Sequence, residues 1–168
     1  MAARPIVLYG EPVLREKGKP VEKIDRETKD LVADMIATLK NAKGLGLAAP
    51  QVGAAVRIFI IDLSAIELTE SVRVFINPQI IETSGEVLME EGCLSFPGIY
   101  QKIVRPETVK IRATEPNGKE FTLRASGMLA RAILHEYDHL EGKLFIDYFS
   151  PVSRALVRGK LRKMAATL

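Results

Sequence analysis

One cysteine, two histidines and no tryptophan are all that this 168-residue chain carries of three rare side chains. With Cys93 alone, no disulfide can form within the chain, and a lone thiol suits a reducing compartment. No apolar run approaches the roughly eighteen residues of a membrane-spanning helix. The start, Met1-Ala2-Ala3-Arg4-Pro5-Ile6, has neither the long apolar stretch of a secretory signal nor an Arg/Ser-rich transit sequence. A cytoplasmic location without membrane contact is therefore expected. Repeats, low-complexity stretches and linkers are also missing, so one domain over residues 1–168 is expected. Charge of one sign is scarce: the net charge is only +3. Arg154, Arg158, Lys160, Arg162 and Lys163 crowd the C-terminal segment without an acid among them. Setting those five aside leaves the rest of the chain at −2, which argues against a sequence-specific nucleic-acid-binding face.

What is present is an ordinary globular balance, 47% hydrophobic and 27% charged, enough to bury a core. Asp25 can cap a helix from about Arg26 to Lys43, in which Leu31, Met35 and Leu39 recur at fours with Val32 and Ile36 beside them. The following Gly44-Leu45-Gly46-Leu47-Ala48-Ala49-Pro50-Gln51 is too glycine-rich for a stable helix. Val56 to Asp62 and Val72 to Ile76 read as strands. Val109 to Ala113 and Phe121 to Arg124 flank Pro116-Asn117-Gly118, a hairpin signal. Ser126 can cap a second helix reaching Leu140, with Gly142 to stop it. A third, basic helix is expected over Ser153 to Ala166, with Leu156, Leu161 and Met164 available for docking. Helix, strands, then helix without βαβ alternation predicts an α+β fold: antiparallel or mixed sheets around the second helix, with helices at both ends.

Both histidines fall within His135-Glu136-Tyr137-Asp138-His139 on that second helix. Residues four apart on a helix differ by about 40° in direction, so both imidazoles can reach one cation. Glu136 lies about 60° from His139, close enough to serve the same site from its edge. By chance this pattern arises in roughly one chain in a thousand of this length and composition. A catalytic divalent site usually has three protein ligands and an open position. Taken alone, Cys93 is most simply a small buried hydrophobe. As the third ligand it would add one thiolate to two neutral imidazoles, which leaves a divalent cation net positive.

Three motifs resemble those of the peptide deformylase family, in that family's order: Gly44 to Gln51, Glu91-Gly92-Cys93-Leu94-Ser95, and His135 to His139 followed by Leu140. The likeness extends to Ile6-Val7-Leu8-Tyr9-Gly10 and Leu144-Phe145-Ile146-Asp147-Tyr148. Leu134 stands where many members carry glutamine, and Leu45 where isoleucine is common. The resemblance implies a cytoplasmic hydrolase of protein biosynthesis that removes the formyl group from N-formylmethionyl peptides, releasing formate. It assigns Cys93, His135 and His139 to one metal ion, Glu136 to proton transfer, and Gln51 with the Leu94 N–H to the oxyanion. It implies ferrous iron physiologically, with zinc, nickel or cobalt able to occupy the site in a purified sample. An extended substrate would pair with a strand edge and place its methionine among Leu45, Gly46, Met128 and Ala132. The basic C-terminal helix is similar to one that docks on ribosomes in some family members.

Two other readings share the histidine helix. A zinc endopeptidase usually takes its third ligand downstream, where this chain offers no histidine or cysteine. A structural zinc site usually needs four protein ligands, one more than is evident here.

Overall fold

The computed structural model describes residues 2–65 and 71–166. Its helices are α1 (Arg26–Ala42), α2 (Gly127–Leu140) and α3 (Pro151–Ala166). Its strands are β1 (Gly46–Ala48), β2 (Ile58–Asp62), β3 (Val72–Ser84), β4 (Val87–Gly92), β5 (Tyr100–Arg105), β6 (Thr108–Thr114) and β7 (Glu120–Ser126). Five strands form one sheet in the order β1-β2-β3-β6-β7, and β4 with β5 forms a second. Every named strand pair is antiparallel. The α+β architecture expected from the element order is the one observed.

The larger sheet lies between two helices because its central strands are apolar on both faces. In β2, Phe59 and Ile61 pack with Phe75, Leu129 and Ile133 on the α2 side. The alternate residues, Ile58 and Ile60, pack with Val32, Met35 and Leu39 of α1. Phe59 and Phe75 stack with their ring centres 4.6 Å apart. A third cluster joins Leu14, Phe96, Ile103 and Phe145 to Leu161 of α3.

Local chemistry sets the helix ends. The Asp25 carboxylate accepts the Thr28 N–H at 3.0 Å, and Lys43 closes α1 in the left-handed conformation. Ser126 has the backbone shape of a cap, yet its side chain makes no capping bond. The third helix begins two residues earlier than Ser153, with Pro151 in the first turn, where proline's missing N–H costs nothing. Leu161 docks as expected, but Leu156 is 79% exposed.

Two strand expectations need correction. The second expected strand does not end at Ile76: β3 continues to Ser84 through Asn77 and Pro78, with a register shift between Ile76 and Gln79 that accommodates the proline. Neither β1 nor β5 has a counterpart among the strands expected from sequence. As a check on the core, Phe75→Ala should lower unfolding free energy by about 3–5 kcal/mol in urea titration. At exposed Val152, substitution by alanine should stay within about 0.5 kcal/mol.

Candidate metal centre

Cys93 follows directly on the end of β4, and α2 presents His135 and His139 towards it. The three side chains each offer one ligand atom, all within 4.8 Å of one another. Cys93 Sγ lies 3.4 Å from His139 Nε2. His135 Nδ1 lies 2.7 Å from Glu91 Oε1. That carboxylate is held ionised, so Nδ1 donates and Nε2 is left to face a cation. His139 Nδ1 and Glu136 Oε1 are buried without a hydrogen-bond partner in the protein. One sulfur donor, an imidazole oriented by Glu91, a second imidazole beside them and such uncompensated polar atoms fit a divalent ion.

Glu91 belongs to a buried network. Arg105 donates to it twice, at 2.6 and 3.0 Å, and Arg131 donates at 2.8 Å. Arg105 also reaches Asp138 at 2.8 Å, and the Tyr148 hydroxyl donates to Asp138 at 2.7 Å. Arg131 further donates to the Val87, Met89 and Ile103 carbonyls, tying α2 to both strands of the small sheet. Burial alone would push the Glu91 carboxyl up, but hydrogen bonds from His135 and Arg105 outweigh it and hold it at about 2.

Glu136 behaves in the opposite way. Burial pushes its carboxyl up to about 7, against the attraction of His135. Gly46 makes room for it: a Cβ there would sit 2.8 Å from Glu136 Oε2 and 2.9 Å from Ile61 Cδ1. Gln51 is buried, and the Ala48 N–H donates to its Oε1 at 2.9 Å. That bond turns Nε2 towards Ser95 Oγ, 3.1 Å away, and Cys93 Sγ, 3.6 Å away.

These groups border one cavity of about 480 Å³. Leu45, Gly46, Gln51, Cys93, Leu94, Met128, Ala132, His135 and Glu136 line it, and His139 is buried beneath. All of the site residues expected from sequence thus converge. Sequence reasoning gave no role to Glu91, Arg105 or Arg131. Arg131 carried a signal, since it lies four residues before His135 and so shares its helix face. Nothing in the local pattern around Arg105 marked it. Replacing Arg105 by methionine should cost about 3–5 kcal/mol, because Glu91 and Asp138 lose a buried counterion. Thermal and urea unfolding would measure this.

The polypeptide deformylase family model matches residues 3–155. The chain is 52% identical to a peptide deformylase of Clostridium botulinum over 147 residues, 88% of this chain and 97% of that one. It is 44% identical to that of Thermodesulfovibrio yellowstonii, covering 96% of this chain and 98% of the relative. The crystal structure of a peptide deformylase from Legionella pneumophila superposes with a TM-score of 0.90 at 42% identity, covering 96% of this chain and 95% of that one. The crystal structure of the Thermus thermophilus peptide deformylase also gives 0.90, at 37% identity over 98% of this chain and 99% of its own. Sequence and architecture agree over nearly the whole length, and the chain belongs to the polypeptide deformylase family, metal-dependent hydrolases that free nascent polypeptides of their N-terminal formyl group.

Proposed function

We propose that Cys93, His135 and His139 hold the metal ion with which this chain hydrolyses the formyl group of N-formylmethionyl peptides. The observation that carries this reading is the convergence of three ligand atoms with Glu136 and Gln51 at one cavity. A divalent ion bound there supplies an electrophile and lowers the pKa of a coordinated water. Glu136 takes the proton from the attacking water as its oxygen bonds to the formyl carbon. The tetrahedral oxyanion receives hydrogen bonds from Gln51 Nε2 and the Leu94 N–H. Glu136 returns the proton to the peptide nitrogen, the C–N bond breaks, and formate leaves with a free amino terminus behind it. A carboxyl titrating at about 7 suits this two-way transfer. The methionine side chain occupies the space among Leu45, Gly46, Met128 and Ala132.

The physiological ion in this reading is ferrous iron. Zinc, nickel or cobalt can replace it during purification, since the affinity order favours them for such donors. The cytoplasm is the expected compartment, and no described helix is long and apolar enough to cross a membrane. The basic face of α3 is assigned to the ribosome surface. Arg158, Lys160, Arg162 and Lys163 are exposed while Leu161 anchors the helix.

Formate release from formyl-Met-Ala, measured anaerobically with ferrous iron, tests the assignment. Glu136→Gln should retain metal and lose roughly 10²–10⁴-fold in turnover. Cys93→Ser should lose metal affinity together with rate; a full equivalent bound at unchanged strength would remove Cys93 from the ligand set.

Gln51→Leu should keep its metal while the barrier rises by about 2.7–4 kcal/mol. It should also cost about 1–3 kcal/mol of stability, because the buried Ala48 N–H loses its acceptor.

Deleting residues 153–168 would strip Leu161 from the core, so charge reversal is the cleaner test of α3. Changing Arg158, Lys160, Arg162 and Lys163 to glutamate should weaken ribosome co-sedimentation at low salt and spare turnover of formyl-Met-Ala. Equal sedimentation of both forms would leave the helix a solvated element.

A further inference from the structure

The face of the β4–β5 sheet opposite Glu91 exposes apolar side chains. Leu88 and Val104 are direct cross-strand partners, 59% and 51% exposed. Nearer the metal centre, Glu90 pairs with Lys102, and then Gly92 with Tyr100. Tyr100 is 64% exposed and lies so close over Gly92 that a Cβ there would meet its ring at 2.6 Å. Side chains alternate between the faces of a strand, so Leu88, Glu90 and Gly92 share one face with Val104, Lys102 and Tyr100. Glu90, Gly92 and Tyr100 also line the active-site cavity. One sheet face therefore runs from the cavity rim to the Leu88–Val104 pair.

We propose that this face is a docking strip for the formyl-peptide's downstream residues, with an aliphatic or aromatic side chain at position four or five seated on Leu88 and Val104. The proposal rests on the deformylase reading, in which residue one occupies the cavity. Continuity with the rim favours this occupant: a polypeptide held by its first residue leaves across residues that border the cavity, and Glu90, Gly92 and Tyr100 are among them. Length agrees. Gly92 to Leu88 spans four strand steps, about 14 Å at about 3.4 Å each, and an extended substrate covers that distance with the next four residues. Charge agrees as well, because Glu90 and Lys102 face each other and leave the strip without net charge between its apolar ends.

The test compares formate release from formyl-Met-Ala with that from two pentapeptides, formyl-Met-Ala-Ser-Leu-Leu and formyl-Met-Ala-Ser-Asp-Asp. The metal-loaded wild type is set against the Leu88→Ser/Val104→Ser double variant, with thermal unfolding as the fold control. The Leu-Leu peptide should exceed the Asp-Asp peptide in kcat/KM by about tenfold, through KM, as expected for partial burial of two aliphatic side chains. The double variant should erase that difference and keep the wild-type rate on formyl-Met-Ala. Fluorescence anisotropy of the labelled, deformylated Leu-Leu peptide should show the same loss of binding without any turnover. Equal kcat/KM for the two pentapeptides, or a preference that survives in the double variant, would overturn the strip alone. No formate from any peptide, formyl-Met-Ala included, would overturn the deformylase reading and the strip with it.

Discussion

The Glu91 carboxylate is the point on which the metal centre and the cavity wall both depend. It accepts from His135, Arg105 and Arg131 at once, and so joins the end of β4 to β5 and to α2. Burying an isolated charge is prohibitively costly, so such a group persists only with its partners in place. Here the partners are arranged to balance. Glu91 and Asp138 carry two negative charges, and Arg105 and Arg131 carry two positive ones. The same carboxylate engages Nδ1 of His135 and so leaves Nε2 for another partner. Two residues further along the chain comes Cys93, so one short segment supplies both a candidate ligand and the group that orients another candidate.

Burial acts on two carboxyls in this region with opposite results. Around Glu91 the hydrogen bonds prevail, and its proton is gone at any working pH. Glu136 finds no such partners for Oε1, and desolvation leaves it near neutrality. Two acids held apart in this way divide the labour: one is a fixed structural anion, the other can exchange a proton. Gly46 belongs to the same arrangement, because a side chain on β1 would occupy the space that Glu136 needs. The second glycine of the Gly44 to Gln51 motif is thus explained by close approach to the Glu136 carboxyl.

The sequence made α2 and its paired histidines plain because helical spacing carries the information locally. Four residues separate the histidines, and their shared face follows from helix geometry whatever surrounds it. Likewise β2 announces itself as an unbroken apolar run, buried on both faces between α1 and α2. The small sheet was harder to see because both of its faces are mixed. Glu91 and Arg105 point inwards with Ile103, and Leu88 and Val104 outwards with Glu90 and Lys102, so hydrophobic alternation marks neither face. Asn77-Pro78 misled in another way: the dipeptide reads as a strand end, and only the register shift against β6 shows how β3 continues past it. The long-range partners of Arg105 could not be read locally at all, since Glu91 and Asp138 lie 14 and 33 residues away.

The alternation of the small sheet also bears on how the site meets its substrate. Strand alternation ties the two faces together: once Glu91, Ile103 and Arg105 are committed inwards, Leu88, Glu90, Lys102 and Val104 must face out. A cross-strand apolar pair adds a little to strand pairing, but lysine, glutamate or threonine would serve solubility better than leucine and valine. An apolar pair at this place lowers solubility without adding to the core. Its position at the far end of a face that begins at the cavity rim gives it a use, because a polypeptide substrate always carries residues beyond the one being processed. The charge network on one side of the sheet and the apolar strip on the other are then two consequences of the same two strands. One side orients His135 through Glu91, and the other is the surface proposed for the departing chain.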